Sequence, residues 1–275
     1  MKETLINIYT EYFYPEPAST GQLMTELARG LSKNDWEVRA VTTQPTYQGQ
    51  EKAKLSKRGK LGEVSIVRTY GTQLDKEKLP LRLINWLSFT ISAFFFSLFN
   101  NEEKEKVSLY LSNPPILPIV GLFLKWIKRD KYVVLLHDIY PDMAVELSLI
   151  SRSNLLVWMW NKVIAAIYNR ADKIVVLGEA MKKTLLAKKI YSLSKQKIEV
   201  IHNWEDPDFI TPQDKSNNPF AVELGYDKEF TVLYSGNLGQ HHDLTTIIEA
   251  ADLLDELPVR FVFIGEGAQK IKLEN

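Results

Sequence analysis

Short apolar runs rich in Val and Ile recur along the chain at residues 5–9, 38–42, 64–70, 107–111, 132–137, 174–177 and 198–201. Helical patterns separate most of them. In GQLMTELARGLS, for example, Leu23, Met24, Leu27, Ala28 and Leu31 fall on one face at 3.6-residue spacing. Strands that alternate with helices and read apolar on both faces predict an α/β domain, doubly wound, with a parallel sheet covered on both sides by right-handed crossovers. This pattern closes near Asn203, where NWEDPDFITPQDKSNNPFAVELG, with Pro207, Pro212 and Pro219, reads as loop. A second unit then starts at Phe230: a strand at 230–234, a small polar loop SGNLGQHHD, a helix at 243–254, a strand at 260–264 and a GEG turn at 265–267. The expected division is a first domain at 1–205, a linker at 206–229 and a partial second domain at 230–275.

Composition narrows the class without changing that picture. The chain has 275 residues, 34 basic against 34 acidic side chains, 45% apolar and 25% charged residues. That suits a soluble globular protein, and the balanced charge gives no support for a nucleic-acid partner. With no cysteine, disulfides and thiolate metal sites are excluded. The first nine residues alternate like a strand rather than like a targeting segment, so a cytoplasmic location is expected.

One stretch complicates this. LINWLSFTISAFFFSLF, residues 83–99, is 17 residues without a charge, just under the roughly 18–20 that a membrane-spanning helix needs. A buried core helix is the favoured reading, a membrane-surface helix the next, and a span the last. The aromatic NLLVWMWNKVIAAIYNR at 154–170 and the basic KAKLSKRGK at 52–60 favour surface association, although a short basic run is usually a solvated loop.

Open parallel sheets bind ligands beyond the carboxyl ends of their strands, so the loops there carry the candidate chemistry. All four histidines fall in such loops: His137, His202, His241 and His242. His137 is the leading one, because Asp138 and Asp142 lie close enough in sequence to orient or charge-tune an imidazole. Asp142 is alternatively a helix N-cap. The first loop, IYTEYFYPEPASTGQLMTEL, has no G-x-G-x-x-G and holds only Gly21 at the helix start, which argues against NAD. Gly21 still permits an anionic group at a positive helix terminus, or is a plain helix-start glycine. In SGNLGQHHD, Gly236 and Gly239 flank Asn237 and Leu238, and Asp243 is the expected cap of the next helix. Backbone N–H groups freed by glycines at a helix start are what a diphosphate needs, with His241 and His242 as local cations and no metal required.

Taken together, the segments YFYPEPASTGQLMTELARGLS, TTQPTYQG, LLHDIYPDMAVELSLI, ADKIVVLGEAMKKTL, KIEVIHNWED and VLYSGNLGQHHDLTTIIEAADLL…VRFVFIGEGA resemble glycosyltransferase family 4, group 1 type. The resemblance is to the branch that makes bacterial exopolysaccharide or lipid-linked glycans. It implies a GT-B fold of two Rossmann-like domains facing across a cleft. It also implies a nucleotide-diphosphate sugar donor held by the second domain, and a glycan or lipid-linked acceptor held near the membrane by the first. Transfer with retention of anomeric configuration, without a metal or other cofactor, is implied as well. Carried over, Gly21 matches the first-loop glycine facing the donor phosphates, and His137 and Asp138 match the polar segment near the reacting sugar. Gly236, Asn237, Leu238, Gly239 and His242 match the phosphate-facing loop. The family's usual arginine and lysine there are Asn237 and His242 in this chain. The sequence stops before the family's base pocket and its paired glutamates, so the second domain is expected to be truncated. A lone strand-helix-strand is then expected to expose apolar surface and an unpaired edge. Two alternatives stay open: a non-catalytic half that needs a partner chain, and a Rossmann-type oxidoreductase or epimerase.

Overall fold

The computed structural model describes residues 4–45, 55–76, 78–101, 104–142, 151, 153–205, 209–239, 242–267 and 269–274. The chain divides into two compact units, residues 1–204 and 205–275.

The first unit is built on an eight-stranded sheet. Its strands are β1 (Thr4–Tyr9), β2 (Glu37–Thr42), β3 (Arg58–Leu61), β4 (Val64–Arg68), β5 (Glu105–Leu111), β6 (Lys131–Leu136), β7 (Lys173–Val176) and β8 (Ile198–Val200). They lie in the order β3-β4-β2-β1-β5-β6-β7-β8, parallel except for the β3–β4 hairpin. That hairpin corrects the reading of residues 52–60 as a solvated basic loop. Arg58 to Leu61 pair with Val64 to Val67 around Gly62, which takes φ 59° as a tight turn requires. Residues 52–54 lie outside the described set.

Helices α1 (Ser19–Lys33), α2 (Leu79–Phe99), α3 (Ile119–Lys128), α4 (Leu155–Arg170) and α5 (Glu179–Ala187) supply crossovers. The apolar stripe of α1 buries Met24 and Ala28 against Ile8, Val38, Ala40 and Ile66. A larger core gathers side chains of α2 to α5 against Tyr9, Tyr110, Tyr132, Val134 and Ile174. Burial of this many Val, Leu, Ile and aromatic side chains, at roughly 25 cal/mol per Å² of apolar surface, is the main force holding the unit together. In the larger core Tyr9 stacks on Tyr110 at 4.5 Å and Tyr110 meets Tyr132 edge-on at 6.2 Å. Two of the three hydroxyls are paired: that of Tyr9 with Ser97 Oγ at 2.7 Å, and that of Tyr132 donating to the Ile167 carbonyl at 2.6 Å, whereas the buried Tyr110 hydroxyl has no partner.

Helix α2 overturns the favoured reading of residues 83–99 as a core helix, because only 33% of its most apolar window is buried. Its inward face holds Asn85, Trp86, Phe89, Thr90, Ala93 and Ser97, and the polar members have local partners. Asn85 Oδ1 accepts from the Thr72 hydroxyl at 2.8 Å, and the Thr90 and Ser97 hydroxyls donate to carbonyls one turn back. The outward face carries Leu79, Leu83, Leu87, Ile91, Phe95 and Phe99, four residues apart and all 44–76% exposed.

The second unit contains a short helix, α6 (Pro219–Glu223), inside the segment expected to be all linker, capped by Asn218. It continues with β9 (Phe230–Ser235), α7 (Leu244–Leu253), β10 (Val259–Ile264) and α8 (Lys270–Glu274), and the two strands pair in parallel. No residue of either strand is fully buried, and Phe230, Leu233, Leu253 and Ile271 are 55–85% exposed. This is the exposure expected of a strand-helix-strand unit, since two strands and one helix cannot cover both sheet faces.

Gly121 marks the tightest packing of α3 on the sheet. A Cβ there would lie 2.7 Å from Tyr132 and 2.8 Å from Tyr110, both buried rings. Gly121→Ala is expected to lower unfolding free energy by about 1–3 kcal/mol through overpacking, although alanine is the better helix former. Denaturant unfolding measures this; unchanged or raised stability would refute the packing account.

Candidate active site

The carboxyl edge of the first sheet brings together the ends of β2, β1, β5 and β6, in that order. At the end of β5, Ser112 donates its N–H to the Leu135 carbonyl at 3.0 Å. Its Oγ accepts the N–H groups of His137 at 3.0 Å and Asp138 at 3.3 Å. One serine thus fixes the backbone from which both candidate side chains project.

Burial lowers the His137 pKa and the neighbouring Asp138 charge only partly offsets this, so the imidazole is neutral near pH 7. Burial raises the Asp138 pKa. His137 Nε2 is buried without a partner. A neutral ring in that state is suited to hydrogen-bonding a polar ligand rather than to neutralising an anion. Asp142 does not orient His137, because its Oδ1 is held by Lys188 Nζ at 2.5 Å. His202 serves the fold, its Nδ1 donating to the Leu177 carbonyl at 2.8 Å. His241 lies outside the described residues.

Gly21 sits in the first turn of α1, which no side chain caps. A Cβ at this position would come 2.9 Å from the Glu16 carbonyl oxygen. The need for glycine is therefore met by the chain's own loop, without reference to a ligand.

Glu11, two residues past β1, escaped the sequence reading. The Thr42 and Thr43 hydroxyls, at the end of β2, donate to its carbonyl oxygen at 3.0 and 3.1 Å. Its side chain is turned inward, the residue is 9% exposed, and Oε2 has no partner. Burial, reinforced by Glu16, pushes its pKa up to about 7 against the pull of Lys76, the Trp86 indole and Arg82. Arg82 also acts on Tyr12 and, together with Asp138, on Tyr140. The available signal was an acid set inside the aromatic run IYTEYFY, where solvation is poor.

In the second unit the SGNLG loop is fastened to the GEG turn backbone to backbone. Gly236 N–H donates to Ile264 O at 2.9 Å, Leu238 N–H to Glu266 O at 2.8 Å, and Gln269 N–H to Leu238 O at 3.0 Å. A Cβ on Gly265 would overlap the Gly236 carbonyl oxygen, and one on Gly267 would lie 2.5 Å from that of Leu238. These contacts correct the view that the glycines free all the loop's N–H groups for a diphosphate. Leu238 is a buried peg. Among the described residues, only the Asn237 and Gly239 N–H groups of residues 236–239 are left without a backbone partner. Asn237 Nδ2 lies beside Gly239, as does His242 Nε2. The Tyr234 hydroxyl donates to Asn237 O at 3.0 Å and also meets His242 Nδ1. That assigns the ring proton to Nδ1 and leaves Nε2 open beside the loop. Asp243 caps α7 as expected, accepting from Thr246 N–H at 3.3 Å and its hydroxyl at 2.7 Å, which lowers its pKa. Asp243 already occupies the helix terminus, and the backbone N–H groups that the loop leaves unpaired among the described residues lie on the Asn237–Gly239 side. No group of three or more His, Asp or Glu side chains able to hold a metal occurs among the described residues.

A family model described as Glycosyltransferase Family 4 matches residues 20–209. The chain belongs to Glycosyltransferase Family 4. This sets aside the oxidoreductase alternative. As a member of Glycosyltransferase Family 4 it is 26% identical over 184 residues to a probable glycosyltransferase, WbjE, of Pseudomonas aeruginosa, covering 66% of this chain and 45% of that one. It is 25% identical over 285 residues to a putative colanic acid biosynthesis glycosyl transferase, WcaI, of Escherichia coli, covering 98% of this chain and 67% of that one. The chain thus spans about half to two thirds of these relatives.

Among solved structures, sucrose-phosphate synthase from Thermosynechococcus elongatus aligns with a TM-score of 0.67 at 14% identity, over 94% of this chain and 62% of that one. Anabaena Alr3699/HepE in complex with UDP and glucose aligns with a TM-score of 0.60 at 14% identity, over 98% and 64%. The fold is of the GT-B type.

The Glu11 shift makes a testable statement about stability. A carboxyl held at about 7 in the folded chain against 4.5 ordinarily favours folding below pH 4.5, and that contribution is lost as pH rises through about 7. Glu11→Gln cannot ionise, so it should gain on the parent across this window, reaching on the order of 2–3 kcal/mol above about pH 8. Urea unfolding of both proteins at either end of the window measures the difference; an equal difference at both ends rules out the buried, shifted carboxyl.

Proposed function

We propose that this chain transfers a sugar from a nucleotide-diphosphate donor to a glycan or lipid-linked acceptor at a membrane surface, with retention of configuration, in polysaccharide biosynthesis. The observation that carries the membrane part is the second apolar face of α2, an outward stripe exposed over about 30 Å on the side away from the core. The exposed Phe123, Trp126 and Ile127 of α3 and the Leu155, Leu156, Trp158 and Met159 of α4 extend the apolar surface. Phe94 of α2 meets Phe123 at 6.0 Å. Arg170 lies over Trp126 and Lys162 over Trp158, at 5.9 and 5.5 Å. Aromatic rings paired with cations beside an aliphatic stripe suit the headgroup region of an anionic bilayer, which supports a peripheral location on its cytoplasmic side.

The donor reading is supported by the names of relatives. WcaI is described as a glycosyl transfer enzyme of colanic acid biosynthesis, and HepE is seen with UDP and glucose. In this reading the anomeric C–O bond to the diphosphate breaks, the leaving oxygen keeps the electron pair, the acceptor hydroxyl oxygen bonds to the same carbon, and its proton passes to the departing diphosphate oxygen. The Asn237 and Gly239 N–H groups donate to the diphosphate oxygens, and His242 does so through Nε2 when its ring carries both protons. His137, neutral and with Nε2 unpartnered, hydrogen-bonds the sugar, and Asp138 sits beside it. No metal or other cofactor is assigned a role.

Two measurements test the two halves. The chain should float with phosphatidylglycerol vesicles and less with phosphatidylcholine, and Ile91→Glu with Phe95→Glu should abolish flotation without lowering the unfolding midpoint. A protein that stays below the vesicles of both kinds sinks the membrane part. UDP- and GDP-sugars titrated calorimetrically should show binding that weakens in Asn237→Ala with His242→Ala; no heat with any donor removes the donor part. In an active preparation, His137→Ala should lower kcat more than it raises KM for the donor, and unchanged kcat would strip His137 of its role.

A further inference from the structure

Of the charged side chains near the carboxyl edge of the first sheet that keep a buried atom without a partner, Glu11, Arg68 and Arg82 among them, Glu11 is the one set at the end of the central strand. From β1 the chain crosses to β2 on one side, whereas from β4 it crosses to β5 on the other. The order therefore reverses between β1 and β5, and the crevice beyond such a reversal is where open α/β sheets take ligands. Glu11 stands at this reversal. Its main chain is fixed by the Thr42 and Thr43 hydroxyls, its side chain is buried, and Oε2 lacks a donor. An unsatisfied buried acceptor is unfavourable, and more so when charged. Folds tolerate such groups mainly where a ligand completes them.

The surroundings restrict what that ligand is. Facing Glu11 are Glu16 and Tyr12 from its own loop, Lys76 from the segment before α2, and Arg82 and Trp86 from α2. Tyr140, from the loop after β6, feels Arg82 and Asp138. Two cations already balance the acids, so a neutral hydrogen-bond donor fits better than a further cation. Lys76 lies over the Tyr12 ring at 5.8 Å and Arg82 over the buried Trp86 ring at 5.3 Å, which leaves the Tyr140 ring as an apolar face of the kind on which the C–H face of a pyranose packs. Ser112, His137 and Asp138 follow at the ends of the next two strands.

We propose that Glu11 is a sugar-binding carboxylate, whose Oε2 accepts a hydrogen bond from a hydroxyl of the acceptor saccharide in the crevice between β1 and β5. The term acceptor rests on the transferase reading above; the recognition of a saccharide hydroxyl does not. Glu11 holds and orients the hydroxyl. Because Oε2 is enclosed in the free chain, binding has to shift the loop that bears Glu11, and the carboxyl group itself reports it.

The test uses the whole chain labelled with carboxyl-13C glutamate, with the Glu11 resonance assigned by its loss in Glu11→Gln. The probes are the methyl glycosides of glucose, galactose and N-acetylglucosamine. At least one should move the Glu11 resonance and lower its titration midpoint, since a donor to the charged form favours ionisation. The Trp86 indole resonance should shift with the same saccharide. Glu11→Gln should weaken that Trp86 response roughly tenfold or more, and Glu11→Asp should weaken it less. A purely structural Glu11 would show no saccharide response and no partial rescue by aspartate.

UDP-glucose binding, measured in parallel, separates the two claims. Donor binding with a silent Glu11 overturns this proposal and leaves the donor reading standing. A responsive Glu11 without binding of UDP-glucose upholds the saccharide site while weighing against that donor, and silence in both overturns the saccharide site. If Glu11→Gln does not fold, the titration of Glu11 in the parent, assigned through Glu11→Asp, decides alone.

Discussion

The parallel pairing of β1 with β2 on one side and β5 on the other is the constraint on which the first unit depends. Leu5 to Tyr9 lie in register with Glu37 to Val41, and Thr4 to Tyr9 with Glu105 to Tyr110. Because β1 is central, its neighbours' crossovers cover opposite faces and leave the carboxyl ends of the strands uncovered. Beneath that edge the stacked Tyr9 and Tyr110, with Tyr132 beyond, form a rigid floor, and Gly121 lets α3 lie directly on it. Thr42, Thr43 and Ser112 then act as short tethers from strand ends to Glu11, His137 and Asp138. The polar groups of the proposed site are thus hung from the sheet itself, which is how a site keeps its geometry.

The second unit is organised on another principle. Its strands bury little, and its order comes from the hydrogen bonds joining the SGNLG loop, the GEG turn and Gln269. Few buried apolar contacts and many exposed backbone bonds mark regions that open locally at low free energy. The first unit has the opposite balance, with two extended clusters of buried side chains.

Much of this was legible in the sequence. The Val- and Ile-rich runs mark seven of the first unit's strands to within two residues at each end, because strands buried on both faces announce themselves by composition. β3 did not, since RGKL becomes a strand only by pairing with Val64 to Val67. Residues 83–99 were misjudged because hydropathy measures how apolar a helix is and not which side carries it. The inward face takes Asn85, Thr90 and Ser97 along with Trp86, Phe89 and Ala93, which leaves the Leu, Ile and Phe stripe outside. At the site, histidines at strand ends were easy to find, whereas Glu11 looked like any loop acid. Its burial depends on α2, which is distant in sequence. Gly236 and Gly239 suggested backbone N–H groups free for a diphosphate, but that of Gly236 is taken by the Ile264 carbonyl at the end of β10.

That interlock restricts how this part of the molecule can diversify. Gly236, Gly265 and Gly267 sit at φ 149°, 159° and 154°, and for the last two the space for a side chain is filled by another peptide. A variant library at these positions would mostly return unfolded loops. Among the described residues of this loop, chemical variety is therefore left to Asn237, Gly239 and His242, whose side chains, or room for one, turn away from the interlock.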